Sequence, residues 1–370
     1  MTGIGNIESS VSARSRLPTQ SRGCRSQNGF LKGIARTILW GTAWTVLGAV
    51  LSGVIATAMV KTFSQGLLAP GVSASPNLVV AVLVGAMLWV LVASRTGLPV
   101  STTHALTGAI VGAGLIAFGR EGLLWEGIGK KIVLPLILSP LLALALSLVL
   151  HPLTRRLAAR WEGTCLCVMP TARALVMIDG QGATRTLFQT TILGRPVMAV
   201  PAQCDRAGLS GLTVGLDSIH WCSSGLASLA RGTNDAPKIA AILLLGTAIA
   251  SWSSVAAQSA ATIGVAVAMG LGSYLGGLRV TKVLAEKVTQ MNHSEGLSAN
   301  LATSSLVFVS ALMGLPVSTT HVSSSAIIGI GLLKGVSAVR WTTVRDMVLA
   351  WAVTLPVAAF LSALAYLLLP

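Results

Sequence analysis

The sequence predicts an all-α, polytopic integral membrane protein built from a duplicated unit, and three observations carry that prediction. Of its 370 residues 53% are hydrophobic and only 10% charged, with a mean hydropathy of +0.78, where soluble domains carry about 25% charged residues. Uncharged apolar runs long enough to cross a bilayer recur along the chain. Finally, Gly97-Leu98-Pro99-Val100-Ser101-Thr102-Thr103-His104 returns letter for letter as Gly314-Leu315-Pro316-Val317-Ser318-Thr319-Thr320-His321, 217 residues further on. The likeness continues into the next segment, where Ala109, Ile110, Gly112, Gly114 and Leu115 face Ala326, Ile327, Gly329, Gly331 and Leu332. A unit is therefore repeated, not merely a motif.

Taken in order, residues 1–36 are polar and basic, with Arg14, Arg16, Arg22, Arg25, Lys32 and Arg36 against the single acid Glu8. They hold no apolar run that serves as a signal peptide or a span. The first repeat occupies 37–150. Ile38 to Val60 is 23 uncharged residues, one crossing; Leu78 to Ser94 is a shorter span leading into the first octet. Ala105 to Phe118 is too short to cross alone and reads as half of a re-entrant or broken element. Ile132 to Leu150 is a further span, kinked by Pro135 and Pro140.

From 151 to 215 no sustained apolar run remains, and arginines outnumber acids, as expected of a central extramembranous loop on the cytoplasmic side. The second repeat, 216–370, opens with a helix expected to stop at Arg231-Gly232-Thr233-Asn234-Asp235-Ala236-Pro237-Lys238. Ile239 to Leu278 then runs 40 residues without a charge, divided near Ser251 to Ser254. A polar connector follows, then Ser298 to Met313, the second octet, a half-helix from Val322 to Leu333, and a last span from about Val348 to Leu369.

The net charge of +15 lies in segments between the apolar runs. It reads as loop charge that sets topology rather than as a nucleic-acid footprint. The five cysteines, Cys24, Cys165, Cys167, Cys204 and Cys222, have no metal or redox spacing and read as plain thiols. No cofactor is expected beyond a coupling ion, a proton or sodium.

The chemistry of the octet points to an anion. Gly-Leu-Pro ends the preceding helix, because proline lacks an amide donor and disfavours helix in the residue before it. A new helix can start at Ser-Thr-Thr, where hydroxyls cap free amides and the dipole attracts negative charge. Within an apolar chain that is a half-helix aimed at a buried polar site. The alternative is that these hydroxyls only bind neighbouring helices, as small hydroxyl residues in membranes do. In the second motif Asp235 and Lys238 lie at or near the membrane interior, where ionisable groups are costly and functional by default. Glycine and proline are expected to unwind the helix there and free oxygens for a cation or a proton. The alternative is an Asp235–Lys238 ion pair that locks helices together.

Together these motifs resemble the inorganic phosphate transporter (PiT) family, which also includes sulfate permeases, over nearly the whole chain from about Asn28. The resemblance implies two repeats of inverted topology, each with an Asn-Asp motif in a broken helix and a Ser-Thr-Thr motif in a later re-entrant hairpin. By it, Ser101, Thr102, Thr103, Ser318, Thr319 and Thr320 bind the oxyanion. Asn234 and Asp235 bind the coupling cation or sit beside the substrate, and Lys238 stands where many relatives carry a second Asn, replacing a sodium ion with a fixed charge.

The first repeat departs from the pattern. Its only counterpart, Asn28-Gly29-Phe30-Leu31-Lys32, keeps Asn28 and Lys32 but has Gly29 where Asp is expected. Lys32 precedes Ser101 by 69 residues and Lys238 precedes Ser318 by 80. Either this copy has degenerated or the functional chain begins differently.

The expected function is symport of inorganic phosphate across the inner (plasma) membrane, with protons favoured over sodium because Lys238 repels a cation. Carriage of sulfate or another oxyanion, and a transport-inactive homologue, are the alternatives. An enzyme is not expected, since no third group completes a triad with the octet Ser and His. His104 and His321 read as structural, holding the hairpin by hydrogen bonds, with a proton relay as the alternative. The implied partners are the oxyanion and membrane lipids, with a homodimer as a compatible assembly and no nucleic acid.

Overall fold

In a computed structural model, which describes residues 30–159, 165–178, 184–199, 216–245, 255–282 and 288–370, the uncharged runs form helices. In chain order these are α1 (Phe30–Ile55), α2 (Thr57–Gln65), α3 (Pro76–Thr96), α4 (Thr102–Phe118), a one-turn α5 (Trp125–Ile128) and α6 (Leu134–Ala159). They continue with α7 (Leu216–Leu245), α8 (Val255–Lys282), α9 (His293–Leu312), α10 (Thr319–Lys334) and α11 (Trp341–Leu368). Among the described residues five stretches are long and apolar enough to cross a membrane: Arg36–Ile55, Pro76–Thr96, Trp125–Ala159, Ala257–Gly276 and Trp341–Leu368. Their outward faces carry exposed Leu138, Leu142, Val267, Leu271, Leu364 and Leu368, as a lipid-facing surface requires. The protein is a multi-pass membrane protein.

One compact unit comprises Gly29–Arg156 and His220–Pro370. Within it the helix after each octet packs on the last long helix of the other half. A Cβ on Gly112 of α4 would run into the Ala359 carbonyl of α11, and one on Gly329 of α10 into Ser147 of α6. These two glycines occupy the same place in the duplicated unit. Ser362 of α11 donates to the Ala109 carbonyl at 2.8 Å, and Trp89 of α3 to Thr354 of α11 at 3.0 Å. Small residues thus bring backbones together in lipid, where packing drives helix association. On the other side α6 meets α9 through His151, Thr154 and Ser298.

The structure differs from the sequence expectation in three places. The first crossing ends at Ile55, not Val60: Ser52 bonds the Ala49 carbonyl at 2.7 Å, Ala56 leaves the helical conformation, and α2 turns so that Thr62 reaches the Gly314 carbonyl at 2.8 Å. Hydroxyl back-bonding of this kind bends helices. Second, α7 runs unbroken through Gly232 and Pro237, so the motif is not unwound. Its close crossing with α1, where a Cβ on Gly232 would strike the Thr45 carbonyl and one on Gly48 the Leu229 carbonyl, holds the helix through the weak point.

Third, the segment read as loop holds an antiparallel hairpin, β1 (Cys165–Ile178) with β2 (Thr184–Ala199), running in register from Cys165↔Ala199 to Ile178↔Thr184. Its Val, Ile, Thr and Phe favour a strand. Pro170, with no amide for the ladder, sits at the one irregularity in the register, between Met169 and Thr171. The hairpin belongs to a second unit.

Candidate functional site

Each octet begins with a left-handed glycine, Gly97 at φ 77° and Gly314 at φ 69°, a conformation glycine adopts freely. Extended residues follow, and the helix restarts with Ser101 and Ser318 as N-caps, each accepting from the amide of the histidine three residues on at 3.2 Å. The two octets meet face to face. Thr103 Oγ1 donates to the Val317 carbonyl at 3.1 Å and Thr320 Oγ1 to the Val100 carbonyl at 3.0 Å. The four residues are equivalent in pairs, so the contact is reciprocal, the signature of a two-fold relation. The His104 and His321 rings lie 4.7 Å apart beside it, Trp351 stacks on His321 at 3.9 Å, and its indole N–H donates to the Pro99 carbonyl at 3.0 Å.

Against this seam α7 presents Asn234, Asp235 and Lys238, which are 0%, 5% and 0% exposed. Lys238 Nζ donates to Thr103 Oγ1 at 2.8 Å, to the Val317 carbonyl at 3.0 Å and to Asp235 Oδ1 at 3.1 Å. Asn234 Nδ2 donates to the same carbonyl at 3.0 Å and to Asp235 Oδ1 at 2.9 Å. The Asp235–Lys238 ion pair is therefore real, and it also ties α7 to both octets. A buried charge pair of this kind requires such additional hydrogen bonds. Asn234 Oδ1 is buried with no hydrogen-bond partner among the described residues.

The six octet hydroxyls divide by what they already do. Thr103 and Thr320 commit their single O–H to carbonyls of the opposite octet, so they cannot donate to a ligand without breaking the seam. Ser101 and Ser318 act as acceptors for amides and keep their own O–H. Among the described residues Thr102 and Thr319 make no side-chain hydrogen bond. The helix starts at Thr102 and Thr319 also leave amides without intrahelical partners.

This duplicated, reciprocal site lies within residues 33–362, which match the Phosphate transporter family. The chain belongs to that family. It is 31% identical over 330 residues to a Bacillus subtilis protein named "Probable low-affinity inorganic phosphate transporter", covering 88% of this chain and 85% of that one. A Rhizobium meliloti protein of the same name is 31% identical over 317 residues, covering 83% and 78%. Among solved structures, "The sodium-dependent phosphate transporter" superposes with a TM-score of 0.69 at 20% identity, over 91% of each chain. That likeness speaks for the fold.

In this member of the phosphate transporter family the structure brings together Ser101, Thr102, Thr103, Ser318, Thr319 and Thr320 with Asn234, Asp235 and Lys238. Asn28 lies outside the described residues. Lys32 falls in α1, but its side chain is outside them too. The sequence reading missed the Val100 and Val317 carbonyls and Trp351. Backbone acceptors leave no side-chain signature, and a tryptophan in an apolar span reads as lipid-facing until its partner is known.

Proposed function

We propose that the chain is a secondary transporter that carries inorganic phosphate across the cytoplasmic membrane in symport with protons, at a site between the two octets. The observation that carries this reading is the meeting of two equivalent helix starts around one buried polar cluster. The O–H donors of Ser101, Thr102, Ser318 and Thr319 and the adjoining free amides suit a tetrahedral oxyanion. Asn234 Oδ1, a buried acceptor without a donor, suits phosphate over sulfate, because phosphate retains a proton near neutral pH and can supply that donor. Protons are favoured over sodium because the Lys238 ammonium already takes the oxygens of Asp235, Thr103 and Val317 that would ligate a cation. The relation of the two repeats is taken as one of inverted topology, with the site at their interface.

The test is radiolabelled phosphate uptake into liposomes containing only this chain. Expected is uptake driven by an inward proton gradient, unchanged when sodium is replaced by choline at fixed pH, and not competed by sulfate. Strict sodium dependence overturns the proton coupling, effective sulfate competition overturns the substrate, and no uptake by well-folded protein overturns transport.

A further inference from the structure

A cavity of about 430 Å³ lies between α7, α9 and α10. Its wall on α7 is one helical face, His220, Ser224, Ala227 and Arg231, at the spacing of i, i+4, i+7 and i+11. At 1.5 Å per residue that face runs about 16 Å along the helix. The inner end is Arg231, one turn before Asn234, with Thr319 at the N-terminus of α10; His220 and His293 mark the other end, their rings 5.7 Å apart. Gly296 of α9 makes the space for this arrangement, since a Cβ there would run into the His220 imidazole.

The charge in this cavity is of one sign. Arg231 lines it, and no carboxylate does among the described residues. The nearest acid on α9, Glu295, accepts from Lys334 Nζ at 3.0 Å and from the Asn292 amide at 2.9 Å, so its charge is balanced. Arg231 is exposed, unlike Asn234, Asp235 and Lys238 below it, and its guanidinium offers the fork of donors that binds tetrahedral oxyanions bidentately. Thr319, with its uncommitted hydroxyl, belongs to both the cavity and the octet site.

We propose that this cavity is the access path of the oxyanion and that Arg231 forms an outer binding site in it, capturing the anion before it reaches the octets. This rests on the reading of the octets as an oxyanion site. Arg231 sets apparent affinity and does not take part in the coupling step.

The experiment has two arms. In proteoliposomes Arg231→Gln is expected to raise the KM for phosphate about tenfold with kcat within about twofold of the parent, and Arg231→Lys, which keeps the charge but not the fork of donors, to recover only part of the loss. In the second arm the five native cysteines are replaced by serine and Ala227→Cys is introduced on the cavity wall. That thiol should react about tenfold faster with an anionic than with a cationic methanethiosulfonate reagent, phosphate should slow the reaction, and Arg231→Gln should remove the preference. Equal rates for both reagents together with an unchanged KM in Arg231→Gln overturn the inference. Anion-selective labelling without phosphate uptake by the parent protein supports the cavity and overturns the transport reading. Uptake without selective labelling or a KM effect overturns the cavity alone.

Discussion

Replacing Lys238 by methionine tests whether its ammonium is the clamp between α7 and the octets. The side chain keeps similar length but loses donors to Thr103, Val317 and Asp235 at 2.8, 3.0 and 3.1 Å. Among the described residues Asp235 is then left with the Asn234 amide alone, at a site where the Lys238 and Asp235 side chains are 0% and 7% exposed. Leaving one charge of a buried pair uncompensated costs about 3–5 kcal/mol. Adding Asp235→Asn removes that charge, so the double variant should lose only unmade neutral hydrogen bonds, about 0.5–1.5 kcal/mol each. The two changes should therefore couple by about 2 kcal/mol or more. Denaturant unfolding of the purified parent, both single variants and the double variant, followed by tryptophan fluorescence, gives the cycle. Effects that add within about 0.5 kcal/mol would show that the ion pair does not hold the site together.

The division of the octet hydroxyls makes paired predictions. Thr319→Val removes a hydroxyl with no partner among the described residues and should raise the KM for phosphate about 10- to 150-fold, an unmade hydrogen bond to a charged group being worth about 1.5–3 kcal/mol, with little change in unfolding midpoint. Thr320→Val instead breaks the bond to the Val100 carbonyl and should lower stability by about 1 kcal/mol with a smaller change in KM; equal KM effects for the two would refute the division. Gly112→Val should abolish folded protein, read as loss of the monodisperse peak in detergent chromatography, because its side chain must enter the Ala359 carbonyl of α11.

Most of the helices were legible because a bilayer demands long uncharged runs, and α3, α4, α6, α9, α10 and α11 fall on them. The octets were legible because they are identical, so chemistry inferred for one had to hold for the other. What was hidden depends on contacts distant in sequence. The continuity of α7 through Pro237 comes from its glycine crossing with α1, about 190 residues away in sequence, which no local propensity reports. The kink at Ala56 follows from Ser52 and from a partner in the second octet. The hairpin from Cys165 to Ala199 was overlooked because its apolar residues are interrupted by arginines and Pro170, which look like loop chemistry until the strands pair. At the site, residue types named the candidates, but only geometry separates the hydroxyls that bind carbonyls from those still able to donate.

The exchange of partners between the halves decides which parts can move as rigid bodies. α3 and α4 are fastened to α11 through Trp89–Thr354, Gly112 and Ser362, and α10 and α9 to α6 through Gly329 and Ser298. Each of these groups draws on both halves of the polypeptide, so a hinge placed between the first and second halves of the sequence would have to pull apart close helix contacts such as that of Gly112 with the Ala359 carbonyl. Between the two mixed groups lie the threonine–carbonyl pairs and the His104–His321 contact, polar contacts able to re-form after a slide. A label on α4 should accordingly keep its distance to one on α11, in the other half of the chain, more constant than its distance to one on α6 of its own.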